Sequence, residues 1–368
     1  MIWTLLAFIG LLAVPTVALA HRAVLRALAR AHLAIHTPRG IVEERYVRIG
    51  GIDQWIGIRG EDTNNPVLLL LHGGPGCSYS IFTPHLRAWE KHFTIVQWDQ
   101  RGSGRTLARM RRRPGDPLTL EQLTSDGAEV AAYARMRLGK ERIFLLAGSL
   151  GSTFGIRLAR RRPDLFYAYI GTDQNVGMKR ERANEHGKLI ERLHVLGLRK
   201  GLKAAERIGP DPTLWRAHDF ETIARWSMRS DVRGYARTMK LLKDAVWYAP
   251  GWTLKDIRTF VAGMRYSLQK LLPEIVRYDA WEEGLRFDIP VFIFQGETDV
   301  LTTPRLARAF FDDVVAPVKR FALISDAGHF AAFLQPEQFL RQLLTDVRPL
   351  SQPSAAPFNH AAIPTPSQ

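Results

Sequence analysis

The sequence predicts an α/β protein with a mostly parallel central sheet, helices on both faces and an inserted helical cap. Three observations predict it. Short apolar runs recur at Val67–Leu71, Phe93–Trp98, Arg142–Ala147, Tyr167–Thr172, Val291–Gln295 and Arg320–Ile324. The first four are separated by stretches long enough for loops or crossover helices, which parallel strands require. Between Thr172 and Val291 the strand rhythm stops, and a charged, helix-favouring stretch intervenes, broken at Gly209-Pro210 and Pro250-Gly251.

Taken in order, the chain opens with Ile2 to Ala20, which carry no charge and are nearly all apolar. At about 1.5 Å of rise per residue that run matches a bilayer core, so residues 1–38 are expected to be a single-pass membrane anchor with a basic segment. Arg22, Arg26 and Arg30 recur every fourth residue and form one stripe opposite Val24, Leu28, Ala31 and Ile35, a pattern suited to anionic lipid. Cations after the span place the following domain in the cytoplasm. Two alternatives stay open: cleavage after Ala18-Leu19-Ala20, giving a secreted or periplasmic protein, and an amphipathic or buried helix.

Tyr46–Ile49 and Ile52–Ile58 flank Gly50-Gly51 and predict a hairpin. Residues 39–176 and 289–348 are assigned to the α/β core, 177–288 to the cap, and 349–368, rich in Pro, Ser and Ala, to a disordered tail. No internal repeat is present.

A chain of 368 residues with 46% hydrophobic content can bury one large core. The single cysteine, Cys77, excludes an internal disulfide. The formal charge of +15 would suit phosphates, yet the cations are spread along the chain, with only short clusters at Arg111–Arg113 and Arg160–Arg162. No aromatic-interleaved basic motif accompanies them, so no nucleic-acid partner is expected. The 11 histidines show no metal-ligand spacing, and neither metal nor organic cofactor is expected.

Chemistry concentrates in four places. Ala147-Gly148-Ser149-Leu150-Gly151 follows an apolar run and precedes a plausible helix, so Ser149 falls where a strand turns sharply into a helix and its hydroxyl is thrust outward. His72-Gly73-Gly74-Pro75-Gly76 follows Val67–Leu71, and its glycines let backbone N–H groups approach a substrate oxygen. Gly74, or alternatively Gly73, together with Leu150 would donate to an oxyanion. Asp299 follows the Val291–Gln295 run, and His329 the Arg320–Ile324 run. The order Ser, Asp, His, each beyond the carboxyl end of a strand, fits a nucleophile (Ser149), a general base (His329) and an acid that orients it (Asp299). Three rival acids are Asp99, Asp173 and Asp326. Asp326 stands only three residues before His329, and Asp99-Gln100-Arg101-Gly102 reads as a turn whose carboxylate is spent on backbone N–H groups.

These motifs, with Trp98-Asp99-Gln100-Arg101-Gly102-Ser103-Gly104-Arg105 and Ala327-Gly328-His329, resemble the proline iminopeptidase branch of the α/β-hydrolases over roughly residues 43 to 345. The resemblance implies the α/β-hydrolase fold and cofactor-free hydrolysis through an acyl-enzyme, with release of N-terminal residues, often proline, from short peptides. Two departures bear on substrate. The family elbow is usually Gly-Gly-Ser-Trp-Gly, and its cap glutamates hold the substrate amino group. Glu181, Glu185, Glu191, Glu206 and Glu221 all lie in the cap here, and none is singled out. Esterase or amidase activity on a small acyl substrate is the alternative, and a non-catalytic binding protein on the same fold is a third.

Overall fold

The computed structural model describes residues 2–110, 117–180 and 182–352. Helix α1 (Ile2–His32) precedes strands β1 (Ile41–Ile49), β2 (Ile52–Gly60), β3 (Val67–Leu71) and β4 (Thr94–Asp99). Then come α2 (Gly104–Arg109), α3 (Leu120–Leu138), β5 (Ile143–Gly148), α4 (Gly151–Arg161) and β6 (Phe166–Thr172). Five helices intervene before the sheet resumes: α5 (Arg182–Val195), α6 (Arg199–Ile208), α7 (Ala217–Arg229), α8 (Tyr235–Tyr248) and α9 (Leu254–Ile275). The chain closes with β7 (Val291–Gly296), α10 (Pro304–Asp313), β8 (Lys319–Ile324), α11 (Ala331–Leu334) and α12 (Pro336–Gln342).

The eight strands form one sheet in the order β1-β2-β4-β3-β5-β6-β7-β8. Only β2 is reversed, pairing antiparallel with β1 and β4, while β4 through β8 are mutually parallel. The hairpin turn falls on Gly50 (φ 53°) and Gly51 (φ 78°), two consecutive left-handed positions of the kind tight hairpins need. The six apolar runs expected as strands stand within a residue of their places, and the hairpin keeps its turn, but its first strand begins at Ile41 rather than Tyr46 and its second runs on to Gly60.

Each central strand is covered on both sides. Along β3, Val67, Leu69 and Leu71 join one core cluster and Leu68 and Leu70 the other, the period-2 division of a doubly covered sheet. The two edges are charged instead: β1 exposes Glu44 and Arg45, and β8 exposes Lys319 and Arg320, which discourages pairing with another chain.

The membrane expectation is overturned. Among the described residues no helix is long and apolar enough to cross a membrane. The apolar run of α1 instead continues without a break into its arginine-bearing turns, and those turns dock on protein. Arg22 is buried and donates to the carbonyls of Trp247 and Trp252, each at 2.9 Å, with its guanidinium 5.3 Å from the Trp247 ring. Arg26 donates to the Ala249 carbonyl at 3.3 Å. Arg22 and Arg26 of the basic stripe therefore satisfy carbonyls at the end of α8 and in the turn beyond it, rather than lipid headgroups. From the core side, Arg59 donates to the Leu33 carbonyl, and Arg87 to those of His32 and Ala34. The anchor through residues 2–20, the lipid partner, the localisation and the placement of the domain derived from them are corrected accordingly.

At the other end, Arg348–Ser351 forms a short 3-10 turn, and the expected tail lies from residue 353 outside the described residues. So do the Arg111–Arg113 cluster and Glu181.

Candidate active site

Ser149 sits between β5 and α4 with φ 52°, a left-handed conformation uncommon for any residue with a Cβ. Its N–H donates to the Thr172 carbonyl at 3.1 Å, tying the turn to the end of β6. The neighbours must be small. A Cβ added at Gly151 would lie 2.5 Å from the Leu71 carbonyl oxygen, and one at Gly148 2.4 Å from the Tyr79 hydroxyl. Position 147 tolerates alanine because Gly155 lies opposite: a Cβ on Gly155 would stand 2.8 Å from the Ala147 methyl.

Asp299 and His329 arrive from the loops after β7 and β8. Gly296 lets those loops meet, since a Cβ there would lie 2.2 Å from the Gly328 carbonyl oxygen, and Thr298 N–H donates to the Ala327 carbonyl at 3.0 Å. In the resulting arrangement His329 Nε2 is 3.0 Å from Ser149 Oγ, and His329 Nδ1 is 2.9 Å from Asp299 Oδ2. Asp299 is heavily bonded. Its Oδ1 accepts from Leu301 N–H (2.8 Å) and Thr302 N–H (3.0 Å), and its Oδ2 accepts also from Thr302 Oγ1 (2.6 Å) and Gln295 Nε2 (3.2 Å).

These surroundings set the charges. Burial opposes ionisation of Asp299, but the neighbouring imidazole and the bonds from His329 and Thr302 hold its carboxyl below the ordinary range. Burial likewise lowers the His329 pKa, while the Asp299 and Asp173 carboxylates more than reverse this and raise it to about 9. The pair is thus built to carry a positive imidazolium beside a negative carboxylate.

The loop after β3 packs directly on this corner: a Cβ on Gly73 would stand 2.7 Å from Ser149 Cβ and 3.1 Å from Leu150 N. His72 fixes the loop from below. Its Nε2 accepts from Gln100 N–H at 3.2 Å, and its Nδ1–H donates to the Gly73 carbonyl at 3.0 Å. Burial drives the His72 pKa down to about 4, which keeps the ring neutral and this donor-acceptor pattern fixed. No acceptor among the described residues engages the N–H of Gly74 or Leu150.

Above the corner is a cavity of about 570 Å³ whose lining includes Gly74, Ser149, Leu150 and His329. The inserted helices form its far wall, with Phe220, Leu242, Met264 and Leu268 beside charged groups. Of the glutamates in the insertion, Glu185 and Glu221 reach this wall. Glu185 is already paired with Arg305 (2.8 Å) and Lys188 (3.2 Å). Glu221 has no ion pair among the described residues.

The rival acids separate clearly. Asp326 points outward, its side chain 79% exposed. Asp99 is buried and accepts from Arg105 N–H at 2.7 Å in its own turn and from the hydroxyls of Ser78 and Ser80 in the segment after β3, so it is spent on structure rather than on His329. Asp173 alone reaches the imidazole: one of its carboxylate oxygens, one from Asp299 and a His329 ring nitrogen lie within 4.8 Å of one another. The supporting groups Gln295, Thr302 and His72 were not anticipated. Only Thr302, a hydroxyl three residues after Asp299, carried a local signal.

A family model described as the alpha/beta hydrolase fold matches residues 66–336. The protein named "Probable aminopeptidase YbaC" of Bacillus subtilis (strain 168) is 26% identical over 320 residues, which cover 84% of this chain and 98% of that protein. A proline iminopeptidase of Lactobacillus delbrueckii subsp. bulgaricus is 24% identical over 310 residues, 83% of this chain and 97% of its own length. Among solved structures, a proline iminopeptidase of Mycobacterium smegmatis superposes with a TM-score of 0.58 at 19% identity, over 84% of this chain and 99% of that one. The chain belongs to the alpha/beta hydrolase fold family of hydrolases.

Proposed function

We propose that this hydrolase works through an acyl-enzyme on Ser149, as an aminopeptidase of proline iminopeptidase type. The observation that carries the reading is the run of contacts from Ser149 Oγ through His329 to Asp299, 3.0 Å and 2.9 Å, on the floor of the cavity. In the neutral imidazole, Nδ1–H donates to Asp299 and Nε2 accepts the serine proton. Ser149 attacks the carbonyl carbon, His329 takes the proton and passes it to the departing amine, and water then releases the acyl group by the same route. The free N–H groups of Gly74 and Leu150 would receive the oxyanion, a donor there being worth about 3 kcal/mol. Support for the substrate class comes from the relatives named aminopeptidase and proline iminopeptidase, and from Glu221, a carboxylate on the cavity wall suited to a substrate ammonium group.

A second reading has its own support. Phe220, Leu242, Val246, Phe260, Met264 and Leu268 give the cavity an apolar wall that would accept an acyl chain, which favours an esterase. The test is hydrolysis of proline and alanine arylamides beside short and long acyl esters by the full chain, with Ser149→Ala as the blank. Arylamide turnover lost in Ser149→Ala supports the aminopeptidase. Ester turnover alone moves the assignment to esterase, and turnover surviving in a folded Ser149→Ala rejects the serine mechanism.

A further inference from the structure

Asp173 is a buried carboxylate at the end of β6, in the place that Asp299 occupies after the neighbouring strand β7. No lysine or arginine pairs with it among the described residues. Its Oδ2 accepts from Phe330 N–H at 3.1 Å and its Oδ1 from Ala331 N–H at 3.2 Å, the two residues that follow His329. Backbone strain converges on the same point. Asp173 (φ 46°), Ser149 (φ 52°) and Phe330 (φ 71°) are all left-handed non-glycine residues, and such conformations persist where the surroundings over-determine them.

Capping the four-residue helix α11 does not account for a charge. A neutral Asn or Ser can cap a helix, whereas a buried carboxylate without a cation is costly unless something nearby becomes positive. The titratable groups around Asp173 are the His329 imidazole, the Asp299 carboxylate and the Tyr79 phenol, and of these only His329 can carry a positive charge. Burial raises the Asp173 pKa to about 6, and the His329 imidazole and the Ala331 and Phe330 amides offset part of that rise by favouring the carboxylate.

We propose that Asp173 is a positioning residue: it locks the turn after His329 through the Phe330 and Ala331 amides and sets a second negative charge beside the imidazolium. His329 is then served by two carboxylates from the ends of adjacent strands. This rests on the Ser149-His329-Asp299 reading, and its test separates the two. The probe is a fluorophosphonate, which labels an activated serine, and the readout is the rate of labelling of the full chain across pH.

Labelling of the wild-type chain but not of Ser149→Ala upholds the triad. No labelling of the wild type, or equal labelling of Ser149→Ala, overturns the triad and this proposal with it. Given the triad, Asp173→Asn should label roughly tenfold more slowly at the alkaline plateau and move the acid limb of the profile down by roughly one pH unit. A limb that stays in place in folded Asp173→Asn, whatever the rate, reduces Asp173 to a helix cap and overturns the proposal alone. Should Asp173→Asn not fold, Asp299→Asn decides: with Asp173 still acting on the ring, its residual acid limb stays above the ordinary imidazole value of about 6.5. A limb at or below that value overturns the proposal.

Discussion

Arg22 in the N-terminal helix donates to the carbonyl of Trp252, 230 residues away, at 2.9 Å. The same guanidinium reaches the Trp247 carbonyl, so one side chain satisfies the end of α8 and the corner leading into α9. Arg22→Ala would leave two largely buried carbonyls without donors and should cost about 1–3 kcal/mol. Urea denaturation of the full chain measures it. An unchanged midpoint would mean that α1 is not docked in solution.

The elbow predicts a compensating pair. Gly155→Ala places a methyl 2.8 Å from the Ala147 Cβ and 3.3 Å from the Tyr169 ring, an overpacking expected to cost about 1–3 kcal/mol. Ala147→Gly removes the closer of those contacts. The double variant should therefore recover most of the lost stability, and the two substitutions should be strongly non-additive in thermal melts. Simple additivity would show that the helix shifts to make room and that the two positions are uncoupled.

Arg101 illustrates why a motif can be visible before its purpose is. It sits within the Asp99–Arg105 segment that made the sequence resemble a peptidase branch, yet it does not line the cavity. It forms a buried pair with Asp126 at 3.0 and 3.3 Å and donates to the Gly50 carbonyl at 2.6 Å, pinning the hairpin turn to α3. Arg101→Ala leaves Asp126 charged and buried, and about 3–5 kcal/mol of stability should be lost. Activity per folded molecule should be nearly unchanged. A large fall in kcat with normal stability would place Arg101 in the chemistry instead.

The strands were legible because a doubly covered sheet needs continuous apolar runs, as in Val67–Leu71, and such runs survive in one dimension. That Ser149, Asp299 and His329 come together was legible because each follows a strand end on the same side of the sheet. The destination of the Arg22 stripe was not. A helix with an apolar stretch and spaced arginines presents the same pattern to a lipid surface as to the carbonyl end of another helix, and only the tertiary partner at Trp247 to Trp252 distinguishes them. Asp173 was visible as an acid after a strand, but its approach to His329 depends on the positive φ of Asp173 and Phe330, which no local pattern of side chains encodes. Glu221 and Glu185 could not be separated from other surface glutamates for a similar reason: which face of a cap helix meets the cavity is set by how the cap sits on the core.

The last prediction concerns pH. Burial lowers the His329 pKa, the Asp299 and Asp173 carboxylates raise it further than burial lowers it, and the net value is about 9. In the proposed mechanism His329 is a general base and works only when neutral, so kcat/KM for an ester or arylamide substrate should climb as pH rises, with a midpoint well above the ordinary imidazole value of about 6.5. Stability moves the opposite way. A group whose pKa is raised on folding contributes its full stabilisation below the unfolded value, and that contribution is lost as pH rises through the folded value. The window from about 6.5 to about 9 should therefore show rising activity while the ion-pair contribution of His329 fades, and paired measurement of kcat/KM and of the urea midpoint across it checks both signs. An activity profile already flat by about pH 7 would mean that the two carboxylates do not hold the proton on His329 in the free enzyme.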